Sequence, residues 1–82
     1  MTVKEFKVQY ALGTLEYKEL IRMANTNDTE ILTILSNSQN PWVRFHVANN
    51  KNTPIDVLRI LSKDKNNWIK ENAINSLKHL CF

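Results

Sequence analysis

Cysteine, glycine and proline are nearly missing from this 82-residue chain: Cys81, Gly13, Pro41 and Pro54 are the whole complement. A single cysteine makes no internal disulfide, and an iron–sulfur cluster, which takes about four thiolates, has no ligand set here. A single glycine leaves no glycine-rich phosphate loop and no nucleophile elbow, and argues against tight hairpins. Apolar runs never approach the roughly 18 residues that a membrane helix requires. The opening Met-Thr-Val-Lys-Glu-Phe-Lys alternates charged and apolar residues, unlike the basic-then-apolar pattern of a secretory leader. These absences predict a protein of a reducing, cytoplasmic compartment with no membrane association.

What the chain does have is the composition of one folded helical domain, 43% apolar and 23% charged. At this length a domain buries only about 60% of the surface its unfolded chain exposes, so little sequence is left over for a second module. The net charge of +3 is unevenly spread. Residues 1–41 hold four Lys/Arg against five Asp/Glu, whereas residues 42–82 hold seven against three. A basic half is compatible with weak, non-specific attraction to nucleic acid, and equally with an ordinary solvated surface.

Self-similarity organises the chain. Leu32-Thr33-Ile34-Leu35-Ser36 followed by Trp42-Val43-Arg44 and Val47 returns 26 residues later as Leu58-Arg59-Ile60-Leu61-Ser62, Trp68-Ile69-Lys70 and Ala73. A further echo aligns Ala24-Asn25 and Thr29 with Ala48-Asn49 and Thr53. Caps and apolar periodicity predict six helices. The first, about 2–12, opens on a capping box of Thr2 and Glu5, presents Val3, Phe6 and Tyr10, and stops at Gly13. Thr14 is expected to cap a second over 15–24, and a third over 28–36 turns Ile31, Leu32, Ile34 and Leu35 inward. Asn40-Pro41 starts a fourth over 41–49. Thr53, with Pro54 and Asp56, is expected to cap a fifth that runs to about Lys63. A sixth follows from about 67, with Ile69, Ala73, Leu77 and Leu80 on one side. The expected architecture is a single all-α domain, 1–82, a short solenoid of about two and a half units (15–37, 41–63 and 67–82) behind an N-terminal capping helix.

The pattern Val43-Arg44-x-x-Val47-Ala48-x-Asn50-x-x-Thr53-Pro54-x-x-x-Leu58-x-x-Leu61-Ser62-x-Asp64 resembles the variant leucine-rich repeat. That resemblance covers about 22 residues closely and the flanking units in part; Lys51 stands where the family often has proline. It implies kinship with HEAT- and armadillo-like repeats, whose alternating helices stack into a right-handed superhelix. It also implies a structural arginine at Arg44, its stem packed between units and its head bonded to carbonyls or to an acidic side chain such as Asp64.

No constellation for catalysis, metal or cofactor emerges. His79 and Cys81, two apart on a helix, face directions about 200° apart. His46 has no ligating neighbour in sequence and reads as an ordinary helix-surface residue. The carboxylates Glu16, Glu19, Asp28 and Glu30 flank helix starts, where negative charge offsets the macrodipole. The aromatic residues are the remaining signal. Trp42 and Trp68 hold equivalent repeat positions, Phe45 follows Trp42 by one turn, and Lys65 and Lys70 lie near Trp68. Either each indole lids its own turn, or the two share one surface. The second arrangement makes Trp42, Phe45, Trp68, Lys65 and Lys70 a candidate binding site for a protein partner. Nucleic-acid binding through the basic half and self-association are the competing expectations, the latter through Val3 and Phe6 at one end or Leu77, Leu80 and Phe82 at the other.

Overall fold

A computed structural model describes residues 2–80, with the backbone alone at Leu80. Among them are six helices and no strand: α1 (Val3–Leu12), α2 (Tyr17–Ala24), α3 (Thr29–Leu35), α4 (Pro41–Asn49), α5 (Ile55–Leu61) and α6 (Asn67–Leu80). The all-α expectation therefore holds, with boundaries close to those read from caps and periodicity.

Local chemistry accounts for most helix ends. Thr2 and Glu5 exchange side-chain and backbone bonds in the capping box that opens α1, and Gly13, at φ 71°, closes it in the left-handed conformation glycine adopts without steric cost. The Asp28 carboxylate accepts from the amides of Glu30 and Ile31, and the Asn40 side chain accepts from the amide of Trp42 at 2.9 Å, with Pro41 in the first turn of α4. Two caps differ from expectation. Thr14 donates its hydroxyl backward to the Gln9 carbonyl, so it finishes α1, and α2 starts later, behind Glu16, with no side-chain cap. Thr53 likewise donates to the Val47 carbonyl, at 2.6 Å, and leaves the start of α5 to Pro54. In both cases the hydroxyl adds a bond to a carbonyl in the last turn of the preceding helix, which also accepts from a backbone amide, in place of capping an amide of the next helix.

Helices α2, α4 and α6 pack side by side, with α3 joining α2 to α4 and α5 joining α4 to α6; α1 rests against α3. One core runs through the row, built from Phe6 of α1, Ala24 of α2, Ile31, Leu32 and Leu35 of α3, Val43, Val47 and Ala48 of α4, Val57, Leu58 and Leu61 of α5, and Ile69 and Ala73 of α6. Phe6 is completely buried, stacked on Tyr10 with ring centroids 5.6 Å apart, so it is not available for pairing at a free end as expected from sequence. The exposed apolar side chains of that region are Val8, Leu12 and Tyr17 instead. Of the C-terminal candidates for self-association, Phe82 lies outside the described residues, as does Cys81.

Some hydrogen bonds recur at the 26-residue spacing of the sequence echo. Ser36 donates its hydroxyl to Thr33 O at 2.6 Å, and Ser62, 26 residues on, donates to Arg59 O at 2.6 Å. The backbone amides of Ser38 and Asp64 bond to Leu35 O and Leu61 O, each at 3.0 Å. Asn40 N then bonds to the Ser38 hydroxyl and Asn66 N to the Asp64 carboxylate, closing the same turn twice with different side chains.

Polar side chains tie neighbouring units together. Asn50 donates to both Ala24 O (3.0 Å) and Thr26 O (2.6 Å), and Ser76 donates to Ala48 O at 2.8 Å. Each reaches from one helix of the α2, α4, α6 row to the carbonyl end of the helix before it. Arg44, nearly buried, donates from Nη1 to Ser38 O (2.7 Å) and from Nε to Asp64 (2.8 Å), joining the turns before α4 and α6. Arg44 thus has the bonding expected of a structural residue, and no buried side-chain nitrogen or oxygen among the described residues lacks a partner.

Candidate functional site

The N-terminal ends of α4 and α6 lie next to each other, and each presents a tryptophan in its first turn. On α4 the buried side carries Val43, Arg44, Val47 and Ala48. Trp42 precedes Val43 by one residue, about 100° around the axis, which takes its indole off the core and leaves it 53% exposed. Phe45, one turn on, is half-buried and packs against the core from above. On α6 the same register buries Ile69 and leaves Trp68 37% exposed.

Packing of α6 on α4 brings the three rings together. Trp42 and Trp68 have centroids 5.0 Å apart, Phe45 and Trp68 5.2 Å, and Trp42 and Phe45 6.0 Å with near-perpendicular planes. These are the edge-on and tilted arrangements that aromatic quadrupoles favour. Of the two arrangements left open by the sequence, shared surface and separate lids, the first is the geometry found. His46 is half-buried rather than a free surface residue, its ring edge-on to Phe45 at 5.9 Å.

An open groove of about 730 Å³ forms where the turn before α4 meets the turn before α6, and none of the three rings lines it. Asn37 and Gln39 line it from one turn, Lys63 and Lys65 from the other and Ile60 from α5, together with the Arg44–Asp64 pair. Partial burial raises the Asp64 carboxyl, but the Arg44 hydrogen bond, the Asn66 amide and the charges of Arg44 and Lys65 outweigh it and hold the pKa below the ordinary 3.8. The pair is consequently ionised at neutral pH, with the charge of Asp64 taken up by Arg44.

The expected site residues divide as follows. Trp42, Phe45 and Trp68 are brought into mutual contact. Lys65 is exposed in the groove, three residues before Trp68. Lys70 is half-buried and stands two positions beyond Trp68 on α6, about 200° around the axis, so it does not face the trio. Lys63 and Ile60 had not been singled out from the sequence. Lys63 has no echo, since position 37 holds Asn, and the echo of Ile60 at Ile34 points only to a like place on α3 and α5; the meeting of the two turns reveals both in the groove.

Among the described residues no group of three His, Cys, Asp or Glu side chains is placed to hold a metal ion, and no helix is long and apolar enough to cross a membrane. Compared with known protein families, with curated proteins and with solved structures, the chain matches none. The row of stacked helices and the exposed aromatic trio therefore carry the functional reading.

Proposed function

We propose that this chain is a non-enzymatic binding module of the cytoplasm that engages a protein partner through Trp42, Phe45 and Trp68, with Lys65 at the border of the contact. The observation that carries this reading is the trio itself. Two indoles, 53% and 37% exposed, are held together on a packed base. An isolated helical domain gains nothing from leaving that much aromatic surface in water, whereas buried aromatic anchors are where protein interfaces concentrate affinity.

The fold reading goes with it. The 26-residue recurrence of hydrogen bonds, the side-by-side row of α2, α4 and α6, and a longest dimension of 37 Å against a shortest of 17 Å support a short right-handed superhelix of the variant leucine-rich-repeat kind. Equivalent positions of successive units then build one surface, as Trp42 and Trp68 do.

The test is affinity capture from the native host with the intact protein, compared with Trp42→Ala and Trp68→Ala. Each substitution should weaken capture of the wild-type partner at least about tenfold, while the melting temperature stays within a few degrees. A partner retained at full affinity by both variants would place the binding face elsewhere.

A further inference from the structure

We propose that the groove between the turns before α4 and α6 is a second site, apart from the aromatic trio, and that it holds the phosphate of a phosphorylated serine or threonine in an extended segment of a partner protein. None of the three rings lines it, so it goes beyond the binding reading above and stands without it.

Donors of three kinds meet in the groove. Arg44, only 9% exposed, lines it. A guanidinium carries five N–H donors, and Arg44 uses three of them: Nε and Nη2 toward Asp64, at 2.8 and 3.4 Å, and Nη1 toward Ser38 O at 2.7 Å. One hydrogen on each Nη is left over, on a group that those bonds fix to both turns. Lys63 and Lys65 are exposed in the same groove. Among the described residues the ion pairs are Lys7–Glu30 and Arg44–Asp64, so neither lysine has an acidic partner. The sequence echo supplies the third kind. Gln39 and Lys65 stand 26 residues apart, at the same place in the two turns. Among the described residues the backbone amide of neither donates a hydrogen bond, whereas the amides of Ser38, Asn40, Asp64 and Asn66 on either side all do.

One charge in the groove opposes an anion. Asp64 lines it too, but its Oδ2 accepts from Arg44 and its Oδ1 from the Asn66 amide. Three cations against that one carboxylate leave an excess of two positive charges. A phosphomonoester matches this with a charge of about −1.5 to −2 near neutral pH and three strong acceptor oxygens, and arginine meets it with paired N–H donors. A carboxylate brings a smaller charge and only two oxygens.

The surroundings select the carrier. The groove is open along its length, and Ile60, 63% exposed, offers an apolar contact to a residue flanking the phosphate. A nucleotide would bring a base that binds by stacking on aromatic faces, and no aromatic side chain lines the groove. Anionic lipid surfaces are recognised by clusters of about four to eight basic residues, more than are gathered here.

The test uses the intact, isotope-labelled protein. A library of dodecapeptides with a central phosphoserine is screened on it, and the tightest binder is titrated by nuclear magnetic resonance. The amide signals of Gln39 and Lys65 should shift saturably. The same peptide with unmodified serine should bind at least about tenfold more weakly, and Lys63→Ala with Lys65→Ala should remove that preference without moving the melting temperature. Trp42→Ala should bind the phosphopeptide as the wild type does, even where it loses the partner of the trio, so the two readings fail separately. An unmodified peptide that binds equally well, a double lysine variant that keeps the preference, or signals at Gln39 and Lys65 that stay still would overturn the site. So would a library that yields no binder. Inorganic phosphate or adenosine monophosphate binding as tightly as the selected peptide would overturn the peptide as carrier.

Discussion

The central unit, α4 with α5, and the N-terminal pair, α1 with α2, are both built from short amphipathic helices, yet they are held in different ways. The central pair has neighbours on both sides and uses side chains to bond backbone carbonyls: Thr53 serves Val47, Arg44 serves Ser38, and Asn50 reaches back to Ala24 and Thr26. In the N-terminal pair α1 buries only Phe6 completely and leaves Val8 and Leu12 in solvent. Its ends are closed by local devices, the Thr2–Glu5 box and Gly13. Packing from both sides multiplies long-range bonds, while an end helix relies on caps. A domain of this size has about 4–12 kcal/mol of total stability, so the difference is measurable.

The largest effect is expected in the middle. Leu58, 1% exposed, touches a core enclosed by α4 and α6, and Leu58→Ala should cost about 4 kcal/mol because the site cannot collapse. Chemical denaturation should show most of the transition lost; a cost no larger than that of an exposed site such as Lys51 would contradict the assignment of α5 to the core.

Asp64→Asn comes next. It leaves the Arg44 guanidinium nearly buried without its counter-charge, at a cost of about 3 kcal/mol. The pH dependence has a definite sign. With its folded pKa held below 3.8, Asp64 contributes stability that is present above that value and lost as pH falls through the folded pKa. The wild type should therefore weaken below about pH 4, and D64N should lose that share of the acid sensitivity. An unchanged acid profile in D64N would show that the pair does not couple to folding.

Asn50→Ala probes the joint between units. Removing its bonds to Ala24 O and Thr26 O should cost about 2 kcal/mol, and amide hydrogen exchange should accelerate in α2 before α5. Uniform acceleration would mean that the two regions unfold as one.

The smallest effect belongs to the end helix. Thr2→Ala breaks the capping box at a cost of about 1 kcal/mol. Exchange should rise only in the first turn of α1, and protection lost across α4–α6 would erase the distinction drawn between end and centre.

Much of this architecture is local and so was readable in the residues. The Thr2 box, Gly13, Asp28 and Asn40-Pro41 mark helix boundaries by chemistry that acts within four residues. The 26-residue echo likewise announced that Trp42 and Trp68 would hold like positions. The failures share a cause. Thr14 and Thr53 carry good capping side chains, but a hydroxyl that can satisfy an amide ahead can equally satisfy a carbonyl behind, and which it does depends on how the chain turns. Phe6 looked like an end residue, yet α3 covers it.

By itself, then, the sequence determined helix content and most helix starts, since these rest on propensity, capping and periodicity within a few residues. Tertiary structure alone decided that the two indoles touch and that Lys63 and Ile60 join Lys65 in one groove. Those outcomes depend on the distance and rotation between α4 and α6, which are set by the volumes of Val43, Val47, Ile69 and Ala73 packed between them and by no local rule.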